Sequence, residues 1–160
     1  MPPSARPGNA LPFLLLSAFR ALIDELHVRL AEAGHEDLRP AHGMAMQMIS
    51  RGGGVSDLAR RLGVSKQAAS KTVTALERLG YAERRPDPRD QRQRAVALTA
   101  RGVEALALSG DILNRLRDEW AAVVGPGEMD GMEDALARLG KHGGHGGHGG
   151  LDGIGDWLGA

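Results

Sequence analysis

Hydrophobic residues recur with helical spacing along the first fifth of the chain, and charged residues occupy positions between them. The apolar stripe consists of Leu15, Phe19, Leu22, Leu26 and Leu30. This spacing predicts an amphipathic helix of about 20 residues that begins near Leu11 and ends near Gly34. So long a stripe must pack against another long helix, which can come from a second chain. A signal-peptide core at residues 11–18 is disfavoured because the helical pattern continues beyond it.

The middle of the chain predicts three short helices with clear start and stop signals. Pro40 suits the first turn of a helix that runs to residue 49, and glycines at 52–54 break the chain. Ser56 is the expected N-cap of a helix over residues 57–62, which ends at Gly63. Ser65 is the expected N-cap of the next helix, over residues 66–79. Two short helices joined by residues 63–65 are typical of a helix-turn-helix.

The second of these helices has two contrasting faces. Its inward face consists of Ala69, Val73, Leu76 and Leu79. Its outward face consists of Lys66, Gln67, Ser70, Lys71 and Thr74. These polar side chains are the types that bond base edges or phosphates in a DNA groove, and Ser65 adds a helix N-terminus suited to a phosphate. An ordinary solvated helix face is the alternative interpretation.

A β-hairpin with a basic tip is predicted directly after this helix. Residues 81–85 and 94–98 read as two strands, separated by a turn with two prolines and dense charge. Arginines of such a tip, Arg84, Arg89 and Arg92, can enter a minor groove, whose negative potential attracts them. An acid among them, such as Asp90, is expected to orient an arginine. A purely structural, solvated hairpin is the alternative.

Charge is concentrated in this same region. The 160 residues carry no net charge, but residues 51–101 contain 12 Lys and Arg against 5 Asp and Glu. A neutral chain that collects positive charge in one third of its length is expected to face a polyanion. The length indicates one domain. The absence of cysteine excludes disulfides, thiol nucleophiles and Cys-type zinc sites. Nothing in the sequence indicates an enzyme, because it contains no acid–base pair at useful spacing and no phosphate-binding loop.

At this point the residues resemble the multiple-antibiotic-resistance regulator (MarR) family of winged helix-turn-helix repressors. The matching segments are residues 58–65, 70–73, 76–81, 84–92 and 96–102. Their order and spacing agree with the family without a gap, and the flanking helices extend the likeness to roughly residues 11–140. The expected fold is therefore mainly α with a small β-hairpin wing (α+β), a winged helix-turn-helix with N- and C-terminal dimerisation helices.

The resemblance implies a cytoplasmic homodimer on double-stranded DNA. Residues 11–33 and the C-terminal helices would form the dimer, while residues 40–100 would form the DNA-binding lobe. Thr99 would cap a long helix over residues 100–124, with apolar positions at Val103, Leu106, Leu113, Leu116 and Trp120. A break at residues 125–127 would precede a last helix over residues 128–139. The outward residues of the second helix would enter the major groove, and Arg92 would serve the wing with Asp90 as its partner.

The resemblance also implies release from a pseudo-palindromic operator by a small-molecule effector, because family members respond to small aromatic or phenolic compounds. The candidates for contacts with an effector are His42, Met44 and Met48. The absence of cysteine excludes a thiol-oxidation switch. A winged helix used only for protein contacts is an alternative, and no membrane association is expected because no apolar run is long enough.

The two ends of the chain differ from the rest in composition. Residues 1–10 are rich in proline and are expected to be disordered, and residues 141–160 form a Gly/His-rich tail. His142, His145 and His148 could bind Ni, Zn or Cu, although ordering so many glycines opposes tight binding. The alternatives are a flexible tail without function, and a metal-responsive regulator or metal-binding protein that uses it.

Overall fold

The computed structural model describes the backbone of residues 7–142 and the side chains of residues 7–140. Within these residues it is mainly helical with one antiparallel hairpin, which confirms the expected winged-helix class. The elements are α1 (Ala10–Glu32), α2 (Pro40–Ile49), α3 (Val55–Leu62), α4 (Lys66–Arg78), β1 (Ala82–Pro86), β2 (Arg94–Leu98), α5 (Ala100–Val124) and α6 (Pro126–His142). No helix among them is long and apolar enough to cross a membrane.

One continuous core joins the two long helices to the helix-turn-helix. Leu26 and Leu30 of α1 are buried together with Ile112 and Leu116 of α5. Met46 and Met48 of α2 belong to the same core and are at most 2% exposed. The predicted stripe of α1 is therefore only partly covered, because Leu15 and Phe19, nearer its N-terminus, remain exposed.

The helix-turn-helix forms as expected from its apolar positions and its glycine. Leu58, Ala59 and Leu62 of α3 are buried against Ala69, Val73 and Leu76 of α4. Gly63 ends α3 with a positive φ of 69°, which a residue without Cβ adopts without strain. Ser65 caps α4, since its hydroxyl oxygen accepts the Ala68 N–H at 3.1 Å.

The start of α3 corrects the sequence prediction. The N-cap is Gly54 rather than Ser56, and the helix begins at Val55. The Asp57 carboxylate accepts the Gly54 N–H at 3.0 Å and so satisfies a donor at the helix start. This bond, followed by the Arg60 guanidinium, holds the pKa of Asp57 below its usual range.

The hairpin pairs Ala82 with Leu98 and Pro86 with Arg94 at its two ends. β1 therefore begins one residue later than expected, and Tyr81 lies before it, fully buried between α4 and the wing. The Val96 N–H donates to Gly53 O at 2.9 Å, which ties the hairpin to the α2–α3 connection. The wing is thus attached to the helix-turn-helix on both sides.

The C-terminal helices differ in detail from the prediction. α5 has the expected bounds, and its Thr99 N-cap accepts the Gly102 N–H at 3.1 Å. Val103, expected on the apolar face, is 57% exposed, because Gly102 and Ala105 take the buried positions. The break before α6 is Gly125 alone, since Pro126 already begins the helix.

The first turn of α5 touches the backbone of the wing. A Cβ added to Gly102 would lie 2.1 Å from the Tyr81 carbonyl oxygen. No backbone carbonyl can tolerate that approach without moving. Gly102 therefore permits the contact that seats α5 on the α4–β1 junction.

We expect Gly102→Ala to lower the free energy of unfolding by about 1–3 kcal/mol or more, because the added methyl group forces the helix off the wing. Urea denaturation measures this loss. Gly110→Ala in the same helix is the matched control, because no atom lies within 4 Å of the place that its methyl group would take. The control should gain up to about 1 kcal/mol from helix propensity, and equal losses in both variants would contradict the packing argument.

Candidate nucleic-acid interface

The outward face of α4 is polar and accessible, as the sequence predicts. Lys66, Gln67, Lys71 and Thr74 are exposed, and Ser70 is half-buried. The opposite side of the same helix is packed into the core through Ala69, Val73 and Leu76. The helix is therefore held rigidly from one side while it presents hydrogen-bonding groups on the other.

The cations of this face are not held by acidic partners within the described residues. In residues 7–140, Lys66 and Lys71 form no ion pair, and neither does Arg92 of the wing. Elsewhere, Arg29 pairs with Glu119 at 2.8 Å and Arg117 with Asp130 at 2.6 Å. Unpaired exposed cations keep their full attraction for phosphates.

Arg84 plays a different part from the other predicted DNA-contacting arginines. It lies on β1 and pairs with Glu77 on α4, and the Arg84 N–H also donates to Glu77 Oε1 at 3.1 Å. A second guanidinium nitrogen lies 3.5 Å from Thr74 Oγ1. Arg84 thereby links the wing to the exposed side of α4, and Glu77 offsets part of its charge.

The wing tip is shaped by two aspartates that bind backbone amides. Asp87 Oδ1 accepts the Arg89 N–H at 2.8 Å, and Asp90 Oδ1 accepts the Arg92 N–H at 3.0 Å. These are local turns in which an acid satisfies the amide two residues later. Asp90 therefore orients Arg92 through its backbone, and the expected guanidinium pairing is not formed. The side chain of Arg89 is 82% exposed, at 3.6 Å from Asp87.

Sequence reasoning missed two groups that position this surface. Arg61 of α3 donates to Met48 O at 3.1 Å and to Gly52 O, which fastens the glycine connection between α2 and α3. Tyr81 is buried beneath the wing, where its hydroxyl meets His35 and Arg101. The signal for Tyr81 was available, since it is the only tyrosine of the chain and directly follows the glycine that ends α4.

An apolar cavity of about 240 Å³ lies between α1, α2 and α5. Met44 and Met48 line it, as do His27, Gln47 and Ser109. His42, the third predicted effector contact, does not line this cavity. It lies on the other side of α2, in a groove with Ser65, Gln67 and Lys71 of the α4 N-terminal region.

His42 caps the first turn of α2. Its Nδ1 accepts the Arg39 N–H at 3.2 Å, which requires the neutral ring with its proton on Nε2. Burial, and then the charge of Arg39, hold the pKa of His42 below its usual value. The cap is therefore coupled to pH.

The predicted metal ligands of the tail are not part of the described structure. His145 and His148 lie outside it, and His142 is described by its backbone alone. Among the residues that are described, no three His, Asp or Glu side chains lie together as a metal site requires. Metal binding by the tail stays a prediction.

The family model of the MarR family matches residues 36–93, which span the chain from the α1–α2 connection through the wing tip. This match confirms the resemblance that the sequence motifs indicate. No curated protein sequence matches the chain.

Solved structures of regulators share this fold. MarR has 26% sequence identity and a TM-score of 0.65, with 88% of this chain and 92% of that chain covered. FabT of Streptococcus pneumoniae, solved in complex with DNA, has 20% identity and a TM-score of 0.70, with 82% and 93% covered. The transcriptional repressor CouR, bound to a 23-mer DNA duplex, has 23% identity and a TM-score of 0.65, with 81% and 91% covered.

We expect folding stability to fall as the pH drops below the ordinary histidine value of 6.5, because the unfolded chain then takes up a proton that folded His42 resists. The loss ends near the lower pKa of the folded state. His42→Gln should flatten this part of the profile, since a glutamine at the same position can accept the Arg39 N–H at any pH. Thermal melts between pH 5 and 7.5, a range of about one unit or more on either side of that value, measure the slope.

His27→Gln serves as the matched control for this measurement. It removes a histidine from α1 that forms no cap in α2. A profile that flattens in the control but keeps its slope in His42→Gln would contradict the assignment.

Proposed function

From the MarR-family winged helix at residues 36–93, we propose that the protein is a homodimeric transcriptional repressor. It binds double-stranded DNA in the cytoplasm and is released from a pseudo-palindromic operator by a small-molecule ligand. The observation that carries the proposal is the unpaired, exposed cationic face of α4 beside an arginine-tipped wing. This arrangement suits a polyanion with grooves better than it suits a protein partner, and none of its groups forms an acid–base pair for catalysis.

The recognition surface contacts both the major and the minor groove in this proposal. Lys66, Gln67, Lys71 and Thr74 of α4 enter the major groove, where amide and ammonium groups can read base edges. Ser65 and the α4 N-terminus face phosphates. Arg92, oriented through Asp90, and Arg89 lie in the adjacent minor groove. Arg84 fixes the angle between wing and helix through Glu77.

The apolar surface that one chain leaves uncovered supports the proposal of a dimer. On α1, Phe13 is 73% exposed and Leu11 is 56% exposed, while near the end of α5 Val123 is 84% exposed and on α6 Leu139 is 63% exposed. Exposed apolar side chains on the first and the last two helices of the described chain favour a protein interface. To place the two α4 helices in successive major grooves, a two-fold axis through these helices must set them about 34–36 Å apart. FabT and CouR, which share the fold, were both solved with DNA, and CouR is a repressor.

We expect Lys71→Ala and Arg92→Ala each to weaken binding to the genomic fragment that the purified protein retains. Each substitution removes two DNA-facing positive charges per dimer, so fewer counterions are released on binding and the slope of log affinity against log salt should fall by about 2. Fluorescence anisotropy over a salt series measures this. Arg115→Ala, which removes an exposed cation from α5 in the other lobe, is the control and should leave the slope unchanged.

Two results would contradict the proposal. The first is a wild-type protein that sediments as a monomer. The second is a protein that retains no duplex at low salt, which would favour a winged helix used for protein contacts.

The cavity between α1, α2 and α5 is the site we propose for the effector. It touches both the long helices and α2, which packs directly on the helix-turn-helix. A ligand in this position acts by preferring one arrangement of these helices, and it shifts the population by the difference in its affinity for the two arrangements. When the distance between the two α4 helices of the dimer differs from one DNA turn, the helices no longer fit two successive major grooves.

The lining of the cavity indicates an uncharged ligand with a hydrogen-bond donor. No lysine or arginine is among the described residues that line it. His27 Nδ1 donates to Ile23 O at 2.8 Å, which leaves Nε2 of the neutral ring as an acceptor. The Ser109 hydroxyl donates to Ala105 O at 2.7 Å and keeps acceptor capacity. A carboxylate would be buried there without a cation, at a cost of several kcal/mol.

We expect naphthol to lower the affinity for the retained DNA fragment more than naphthoate does at equal concentration, because the two share one apolar body and differ in charge. Met44→Trp, which fills the cavity, should abolish the response, whereas Val28→Trp on the exposed side of α1 should not. Anisotropy titrations measure both. A stronger response to naphthoate would contradict the assigned ligand chemistry.

A further inference from the structure

Tyr81 is joined by its backbone to the DNA-binding elements. It lies between α4 and β1 and is fully buried. Its N–H donates to Leu76 O at 2.8 Å, and its carbonyl accepts the Thr99 N–H at 3.1 Å. Any movement of α4 and the wing therefore carries Tyr81 along.

The hydroxyl of Tyr81 makes its contacts with other elements. It lies 3.0 Å from His35 Nδ1, in the connection between α1 and α2, and 3.1 Å from a guanidinium nitrogen of Arg101, in the first turn of α5. His35 is 6% exposed, and its backbone N–H donates to Leu30 O at the end of α1. The Arg101 guanidinium carbon also lies 4.6 Å from the centre of the Tyr81 ring. One oxygen thus joins the α1–α2 connection, α5 and the α4–β1 junction.

The chemistry of these groups determines where the protons lie. A guanidinium can only donate, so the Tyr81 oxygen accepts from Arg101. Among these groups the single hydroxyl proton finds an acceptor only in His35 Nδ1, and only when that nitrogen is unprotonated. The complete set of bonds therefore requires a neutral His35 with its proton on Nε2.

Protonation of His35 would break this arrangement in two ways. Nδ1 would become a donor and would face the hydroxyl proton of Tyr81, which has no other partner in the described residues. A second positive charge would also be buried near Arg101, and Asp37, at 3.9 Å from Arg101, would offset it only in part. No hydrogen bond or ion pair from a charged group of α1, α4 or the hairpin reaches His35 in residues 7–140.

We propose that the Tyr81 hydroxyl is a positioning group that holds the recognition helix and wing at a set angle to α1 and α5, and that it does so only while His35 is neutral. The inference rests on the proposed DNA binding, and it adds a second input besides the effector cavity. Because the two recognition helices must match successive grooves, a small change of this angle is enough to lower affinity. Acidification then weakens DNA binding, although added positive charge by itself would strengthen it.

The test compares DNA affinity near pH 7.5 and near pH 5.5, on either side of the ordinary histidine pKa of about 6.5. The wild type should lose affinity on the order of tenfold at the lower pH, within the range typical of coupling between two sites. Tyr81→Phe keeps the ring and removes the hydroxyl, so it should bind less tightly near pH 7.5 and lose most of the pH effect. His35→Gln can accept the Tyr81 proton at either pH and should bind equally well at both.

His42→Gln is the matched control, because it removes a histidine that caps α2 and makes no contact with Tyr81. It should keep the full loss of affinity at low pH. The proposal is overturned when Tyr81→Phe and His35→Gln keep the wild-type pH profile.

A second measurement separates this inference from the proposed function. Hydrogen exchange of the free protein at residues 33–38 and 99–103 should quicken at low pH in the wild type, after correction for the intrinsic rate, and should not do so in His35→Gln. A wild-type protein that retains no DNA at any pH contradicts the proposed function. Hydrogen exchange of the free protein still tests the role of Tyr81 in that case. Unchanged exchange in the wild type at low pH overturns the proposed role of the Tyr81 hydroxyl.

Discussion

The close approach of the α5 backbone to the Tyr81 carbonyl is the constraint on which the architecture depends. At Gly102 a Cβ would lie 2.1 Å from that oxygen, so the two backbones can meet only where no side chain intervenes. Thr99 strengthens the same junction, because its hydroxyl donates to Gly80 O at 2.6 Å and accepts the Gly102 N–H. The recognition helix α4, the wing and α5 therefore meet at the contacts among Gly80, Tyr81, Thr99 and Gly102.

Electrostatics on that surface are organised by which cations have partners. Glu77 takes Arg84, and Asp87 shapes the turn that carries Arg89, whereas Lys66 and Lys71 remain unpaired. The acidic side chains near the wing thus serve geometry, since they bind backbone amides or neighbouring guanidinium groups. In the long helices, Arg29 of α1 pairs with Glu119 of α5, and Arg117 of α5 pairs with Asp130 of α6. The recognition helix thus keeps exposed cations without acidic partners in the described residues, on a chain that has no net charge.

Much of the fold could be predicted because its signals are local. The helical spacing of Ala69, Val73 and Leu76, the Ser65 cap and the Gly63 stop each act within one or two turns, and α4 forms as these signals indicate. The errors arose where two local solutions compete. Ser56 and Gly54 can both begin α3, and Asp57 decides in favour of Gly54 because its carboxylate reaches that amide. The role of Arg84 could not be predicted, since its partner Glu77 lies on another element.

The amino-acid sequence by itself determined the order of the elements, the polar face of α4 and the concentration of positive charge, because periodicity, caps and composition depend on near neighbours. Tertiary structure alone decided which cations remain free, which face of α5 is buried and where the apolar cavity lies. It also brought His35, Tyr81 and Arg101 together from three separate parts of the chain. Such contacts depend on how helices pack at a distance, and no spacing rule along a single chain contains that information.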